Sequence, residues 1–530
     1  MYEIKHLILP PCYANTVSAV YTSTIIFKCI VMNLLLSKQL VFVRIVFFPL
    51  SALFFSIIIG CNDYNEIEDN VDNSDTNNSG NSCSAAITQV SIEEMTEKFR
   101  GVVRGPERHF HDLSEQIPGY GGSYINRDGE YTVYLKDDSQ QANASSVINQ
   151  NVKAKSLSQD LRFKQADYTF KDLATWRELI TAYMLSSAEH DYVLTNHIDE
   201  SANKIVVGIA EDRFNEQNIS DVKAYIDQEL NIPVNAISII KEYPEVEEAE
   251  SVDNLSGSYQ DRQRPLVGGI RLSYGSSSNC SIGFVGKYEG KDVFITNAHC
   301  TGTGYTDSFT IYYQGDRNNT NDRIGMEIDG NEATRSACVE VGNLCWPCRW
   351  SDSAIAEIND DVPRQLGLIA KTTRESDQFL VDGSMEIDQD DPVFTVVDHE
   401  IDIVLGKHVH KVGGNSGWTS GEIIRTCYDS RRSRHEVVLQ CQTRARYGSS
   451  GGGTSGSPVF KRLQPDQVDD DNITNPVALV GIHRASGSRD SPDGFTAFSP
   501  MSGILKDHEK LELKGLEHPA DAPLTRSVSE

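Results

Sequence analysis

Residues 451–460 read Gly-Gly-Gly-Thr-Ser-Gly-Ser-Pro-Val-Phe, with three glycines ahead of a serine and a strand-like apolar run behind it. A glycine run in that place permits the tight turn that aims backbone N–H groups at one point. Gly453 and Ser455 are therefore candidate donors to an oxyanion hole, and Ser455 is a candidate nucleophile. A serine hydroxyl attacks at neutral pH when an imidazole takes its proton and a carboxylate fixes the imidazole tautomer. Upstream, residues 294–300 read FITNAHC and residues 350–358 read WSDSAIAEI, so His299 and Asp352 can supply both groups. Each motif alone is weak. In the chain order His, Asp, Ser they define one candidate centre for acyl transfer. From about Leu266 to Met501 the surrounding sequence consists of short β-branched or aromatic runs, such as DVFIT, PVFTVV, EVVLQC and VALVGI, separated by Gly, Asn, Asp and Ser clusters. That pattern predicts an all-β barrel or sandwich.

The rest of the 530-residue chain is organised differently. Residues 86–250 hold two amphipathic helical patterns, IEEMTEKF and KDLATWRELITAYML, and a strand-helix-strand run, KIVVGIA, SDVKAYIDQEL, AISIIKE. They predict an α+β domain. Residues 251–265, closed by Pro265, read as a linker, and residues 61–85, rich in Asn, Asp and Ser, read as a disordered tether. Residues 1–60 read as a targeting segment. Their apolar run IVFFPLSALFFSIIIG follows Lys38 and Arg44 and is shorter than the ~20 residues that span a bilayer comfortably. Net charge is −28, with 76 acidic against 48 Lys and Arg residues, which disfavours a nucleic acid partner. Of the 11 cysteines, eight remain after Cys12, Cys29 and Cys61 are set aside, and seven of those lie in the β-rich half. An even number in an exported chain reads as disulfides rather than zinc ligands, so no metal and no cofactor are expected.

The three segments resemble the signatures of chymotrypsin-fold serine peptidases. Here they stand as Thr296-Asn297-Ala298-His299-Cys300, Asp352-Ser353-Ala354 and Gly453-Thr454-Ser455-Gly456-Ser457-Pro458. The resemblance covers roughly residues 266–510. It implies two consecutive six-stranded β-barrels in residues 266–515, a disulfide between Cys280 and Cys300 pinning the histidine loop, and hydrolysis of protein or peptide substrates. Thr454 replaces the family's Asp before the nucleophile, so the ion pair that switches on trypsin-like zymogens cannot form. The short lead-in from Leu266 is more similar to bacterial streptogrisin-type peptidases, often made with a folded pro-region. Residues 86–250 match that role as an intramolecular inhibitor or chaperone, and equally match an independent accessory domain. Ser449 stands six residues before the nucleophile, where trypsin-like enzymes hold an Asp. Instead Ser450 and Gly481-Ile482-His483 resemble the acidic-side-chain pocket of glutamyl endopeptidases, which implies Ser449, Ser450 and His483 as substrate-binding residues. Ile58-Ile59-Gly60-Cys61 resembles a bacterial lipobox, implying acylation of Cys61 and an extracytoplasmic, membrane-anchored or secreted protein. The rival reading is a peptidase fold that has lost activity and serves binding or adhesion at the cell surface.

Overall fold

Residues 437–445, VVLQCQTRA, are buried at all nine positions, which marks a strand covered on both faces. Outward from it, the computed structural model describes residues 91–513, apart from 151–160, 187–190, 248–249, 252–260, 276–277, 303–304, 306–308, 330–345, 380, 433–436, 449–451, 465–466, 469–472 and 488–493. The targeting segment, the tether and Cys61 lie outside the described residues. Among those residues no helix is long and apolar enough to cross a membrane.

The N-terminal part is built around the helix Phe170–Ser186. Thr169 and Asp172 start it reciprocally: Thr169 Oγ1 accepts the Asp172 N–H at 3.1 Å, and the Asp172 carboxylate accepts the Thr169 N–H at 3.3 Å. Its apolar residues, Phe170, Leu173, Ile180 and Tyr183 among them, pack with Phe99 and Phe110 in one core. Two groups of three strands flank it, the first a separate sheet and the second the end of a larger sheet that continues into the β-rich part. One comprises β1 (Tyr120–Ile125), β2 (Tyr131–Leu135) and β3 (Leu161–Gln165), the other β4 (Val193–Asp199), β5 (Lys204–Ala210) and β6 (Ile237–Glu242). The helices Ile92–Phe99 and Glu216–Gln228 and the strands β5 and β6 fall where the periodicity places them. Two short strands follow, β7 (Glu245–Glu247) and β8 (Glu250–Ser251).

The β-rich part continues with β9 (Leu266–Gly268), β10 (Arg271–Tyr274), β11 (Ser278–Ser281), β12 (Val285–Tyr288), β13 (Lys291–Thr296), β14 (Ile311–Tyr313) and β15 (Arg323–Asp329). After β16 (Cys348–Arg349) come β17 (Ala354–Ile358), β18 (Arg364–Ala370), β19 (Val393–His399), β20 (His408–Gly413) and β21 (Gly417–Arg432). The last are β22 (Val437–Ala445), β23 (Pro458–Arg462), β24 (Pro476–Gly487), β25 (Thr496–Pro500) and β26 (Leu511–Glu512). β20, β21, β22, β25, β24 and β23 pair antiparallel in that order, and β23 returns to β20, so these six strands close a ring. Val409, Ile423, Ala445, Tyr447, Val459, Val480 and Phe498 form one of its apolar clusters. In the preceding sheet β10, β14, β15, β17, β13 and β12 pair in succession. β11 pairs with β10 and leads into β12 through Ile282 and Gly283, whose N–H groups bond to the carbonyls of Ile270 and Ile295.

The two parts share backbone and buried charge. β4 pairs with β21, Asn196 opposite Asp429 and Thr195 opposite Ser430. Beneath this seam the fully buried Arg104 forks onto Glu178 at 2.7 and 2.8 Å and onto Asp429, while Arg177 binds Glu107 and Glu178. Burial alone would raise the Glu178 carboxyl, but Arg104 and Arg177 together hold it at about 2. Glu200, fully buried beside Thr426 of β21, has no such cation in contact, and burial pushes its carboxyl up to about 8. The folded chain thus keeps a proton on Glu200 that the unfolded chain releases above about pH 4.5. This contribution to stability is full below that pH and is lost as pH rises through about 8. Urea midpoints measured from pH 5 to 8 should accordingly fall less steeply in Glu200→Gln than in wild type. The slope recovered is at most about 1.4 kcal/mol per pH unit.

Candidate active site

The segment after β13 cannot continue as strand because it turns into a single 3₁₀ turn, Ala298–Cys300, which carries His299. A disulfide joins Cys300 to Cys280 on β11, the pairing the family resemblance implied, and anchors that turn. β13 pairs with β17, Thr296 opposite Ala354, which brings Asp352 beside the histidine. The Asp352 Oδ2 lies 2.7 Å from His299 Nδ1, and Oδ1 accepts the His299 backbone N–H at 3.1 Å. Asn297 Nδ2 donates to the Asp352 carbonyl at 2.6 Å, and the Asp352 N–H donates to Ser499 Oγ, itself bonded to Gln442 Oε1. The flanking residues are held too: the Asp507 carboxylate accepts the N–H groups of Trp350 and Ser351. His508, beside Ser353, is brought down to about 3 by burial, reinforced by Arg349, and so packs as a neutral ring.

Ser455 stands in a turn with Gly453 at φ +86° and Gly456 at φ +87°, conformations open to glycine at little cost. Two bonds from β11 fix this turn: the Ser281 N–H donates to the Ser455 carbonyl at 2.7 Å, and Ser281 Oγ donates to the Gly453 carbonyl at 2.9 Å. Asn415 Nδ2 holds the Gly452 carbonyl at 2.6 Å. The Ser455 Oγ then lies 2.8 Å from His299 Nε2 and 3.4 Å from the Arg484 carbonyl. With an ionised carboxylate at Nδ1, the neutral imidazole carries its proton there and offers the Nε2 lone pair to the serine hydroxyl. All three groups are buried, Ser455 and Asp352 completely.

His483, in β24, is buried behind the nucleophile. Its N–H and carbonyl bond to Ser457 and Gly456, and its Nδ1 lies 3.1 Å from the Tyr447 hydroxyl. Ser449 and Ser450 lie outside the described residues. A second disulfide, Cys427–Cys441, ties β21 to β22 against Trp350, and Cys348 is also disulfide-bonded. Asn297, Ser281, Asn415 and Ser499 escape sequence reasoning because each acts through a partner distant in the chain.

No protein-family model matches the chain, and no curated protein matches it. Its structure is similar to that of Thermobifida fusca Protease A, with 18% identity, TM-score 0.29, and coverage of 47% of this chain and 97% of that one. It is likewise similar to a glutamic acid specific serine protease described as using a histidine triad in substrate binding, at 16% identity and TM-score 0.30, covering 47% of this chain and all of that one. An alpha-lytic protease homolog, N4, gives 18% identity and TM-score 0.31 over 47% and 98% of the two chains.

A Cβ on Gly456 would meet the Ser281 carbonyl oxygen at 2.4 Å, whereas one on Gly290, at φ +82°, would meet nothing within 4 Å. Gly456→Ala therefore adds a backbone clash to the left-handed strain, and Gly290→Ala carries the strain alone. Denaturant unfolding should give roughly 2–5 kcal/mol of destabilisation for the first and about 1–2 kcal/mol for the second.

Proposed function

We propose that this chain is an exported serine endopeptidase of chymotrypsin-like, double-barrel fold, held in a covered precursor form. The observation that carries the reading is the unbroken chain of short contacts from Asp352 through His299 to Ser455 Oγ, at 2.7 and 2.8 Å. In that reading Ser455 Oγ attacks the scissile carbonyl while His299 Nε2 takes the hydroxyl proton, and Asp352 stabilises the imidazolium. The N–H groups of Gly453 and Ser455 receive the oxyanion. His299 then protonates the leaving amine, and water, deprotonated by the same nitrogen, releases the acyl group. The closed ring of β20 to β25 and the bent β11–β12 edge of the preceding sheet support two barrels with the cleft between them.

Three parts of the reading rest on sequence: export and acylation through Cys61, substrate binding by Ser449 and Ser450, and release of residues 86–250 as a pro-region. An acidic preference at the cleavage site draws on His483, whose backbone bonds to Gly456 and Ser457, the two residues after the nucleophile. Complete burial of Ser455 supports a precursor whose own chain covers the cleft.

The test is fluorophosphonate labelling of protein lacking the targeting segment, before and after cleavage of the chain between residues 242 and 266. Labelling should rise sharply after cleavage, sit on Ser455, and vanish in Ser455→Ala. Asp352→Asn should leave the fold intact and lower kcat on the order of 10⁴-fold. Folded, cleaved protein that neither labels nor hydrolyses a denatured proteome would favour the binding or adhesion reading instead. Mass-spectrometric profiling of cut sites in that proteome should show Glu or Asp before the cut. Aromatic or basic residues there would remove the acidic preference.

A further inference from the structure

The segment between the two halves is bound in register on both sides of Ser455. β7 pairs antiparallel with the end of β24, Glu245 opposite Gly487, Val246 opposite Ser486 and Glu247 opposite Ala485. The next residue of β24 back along the strand is Arg484, whose carbonyl lies 3.4 Å from Ser455 Oγ. β8 pairs with β11, Glu250 opposite Asn279, two residues before the Ser281 whose N–H holds the Ser455 carbonyl. A peptide lying in the register of β7 therefore brings the residue that counts opposite Arg484 to the point of attack. The residue opposite Gly487 stands three positions upstream of it.

In this chain that upstream position is Glu245, and its carboxylate sits in a fully furnished site. Arg444 Nη2 at 2.9 Å and the Tyr428 hydroxyl at 2.6 Å donate to Oε1. Arg484 Nη2 at 2.8 Å and Ser430 Oγ at 3.0 Å take Oε2. Arg484 also donates to the Tyr428 hydroxyl at 2.6 Å. The side chains of Glu245, Arg444 and Arg484 are 6%, 3% and 0% exposed, so the contacts operate in a poorly solvated place where charge-assisted bonds are strong. All four donors belong to the β-rich half, on β21, β22 and β24, while the carboxylate belongs to the segment that would leave on cleavage.

We propose that Arg444, Arg484, Tyr428 and Ser430 form a carboxylate-binding subsite of the substrate cleft, occupied by Glu245 in the precursor. In the released enzyme it takes an acidic side chain three residues upstream of the attacked residue of a peptide substrate. This rests on the endopeptidase reading and adds a second acidic determinant, separate from the residue at the cut. Arg444 also binds Glu242 at 2.8 Å, so the same guanidinium fastens the N-terminal part while the linker is intact.

Two measurements test it. The first compares, on cleaved enzyme, kcat/KM for a nine-residue peptide with the sequence of residues 243–251 and for the same peptide with Gln at the place of Glu245, the cut mapped by mass spectrometry. The Glu peptide should be favoured about 10- to 100-fold, the range that charge-assisted hydrogen bonds give, and Ser430→Ala should narrow the ratio. Equal kcat/KM for both peptides, in an enzyme that cuts both, overturns the subsite and leaves the endopeptidase reading standing. The second reads the uncut precursor, in which Glu245→Gln should speed fluorophosphonate labelling of Ser455 about tenfold or more, with Glu245→Asp intermediate. An unchanged rate in a precursor that labels after cleavage also overturns the subsite. Absence of labelling in every form, cleaved wild type included, is the failure of the endopeptidase reading itself.

Discussion

Ser281 is the constraint on which the site depends. Its N–H and its hydroxyl reach the Ser455 and Gly453 carbonyls from a strand of the first sheet, so the serine turn of the second is built against the first. The same strand carries Cys280, covalently tied to the turn of His299. One four-residue strand thus positions base and nucleophile together. The approach is too close for side chains on either side: a Cβ on Gly283 would meet the Gly456 carbonyl at 2.8 Å and one on Gly456 the Ser281 carbonyl at 2.4 Å. Glycine at these points is a requirement of the contact between sheets as much as of the turn.

A second constraint acts through charge. Fully desolvated ions are costly unless paired and hydrogen-bonded. Arg104 and Arg177 pair with Glu107 and Glu178 within the N-terminal part, whereas Asp429, the one member contributed by the β-rich half, finds its cation, Arg104, only when that part lies against β21. Separation would return these groups to water, which offsets much of the lost attraction. Substituting a single member leaves its partners buried and unpaired, and costs far more. Such an interface is specific without being permanent, which is compatible with the proposed release of the N-terminal part.

The chemistry was legible where residue type and backbone geometry coincide. Gly453-Thr454-Ser455-Gly456 announces a positive-φ turn with a hydroxyl in it, and His299 follows β13 while Asp352 precedes β17, strands whose apolar runs mark their ends. The strands β5 and β6 are equally plain as short β-branched runs, and the helix Phe170–Ser186 as a long helical pattern, although β5 and the helix are buried on nearly every side instead of along one face. β1, YGGSYI, was hidden because two glycines dilute its pattern. The strands Glu245–Glu247 and Glu250–Ser251 carry no strand pattern in the sequence because they are three and two residues long and pair with the distant strands β24 and β11. Ser499, Asn415 and Ser281 are ordinary polar residues until distant segments meet. A single sequence carries no sign of such a meeting.

The net charge of −28 argues against an acidic ligand in the cleft. Distance decides otherwise. Charges more than about 8 Å apart across solvent are largely screened at physiological ionic strength, whereas Glu245 meets two guanidiniums at 2.8 and 2.9 Å in a nearly dry environment. The local pairs dominate affinity, and the remote charge mainly slows the approach of a free acidic peptide. A tethered segment suffers no such delay, because covalent attachment gives it an effective concentration in the millimolar range. Under the proposed function, the same arginines favour the chain's own linker over any external peptide while the linker is intact, so the proposed order of events follows from connectivity without a separate switch.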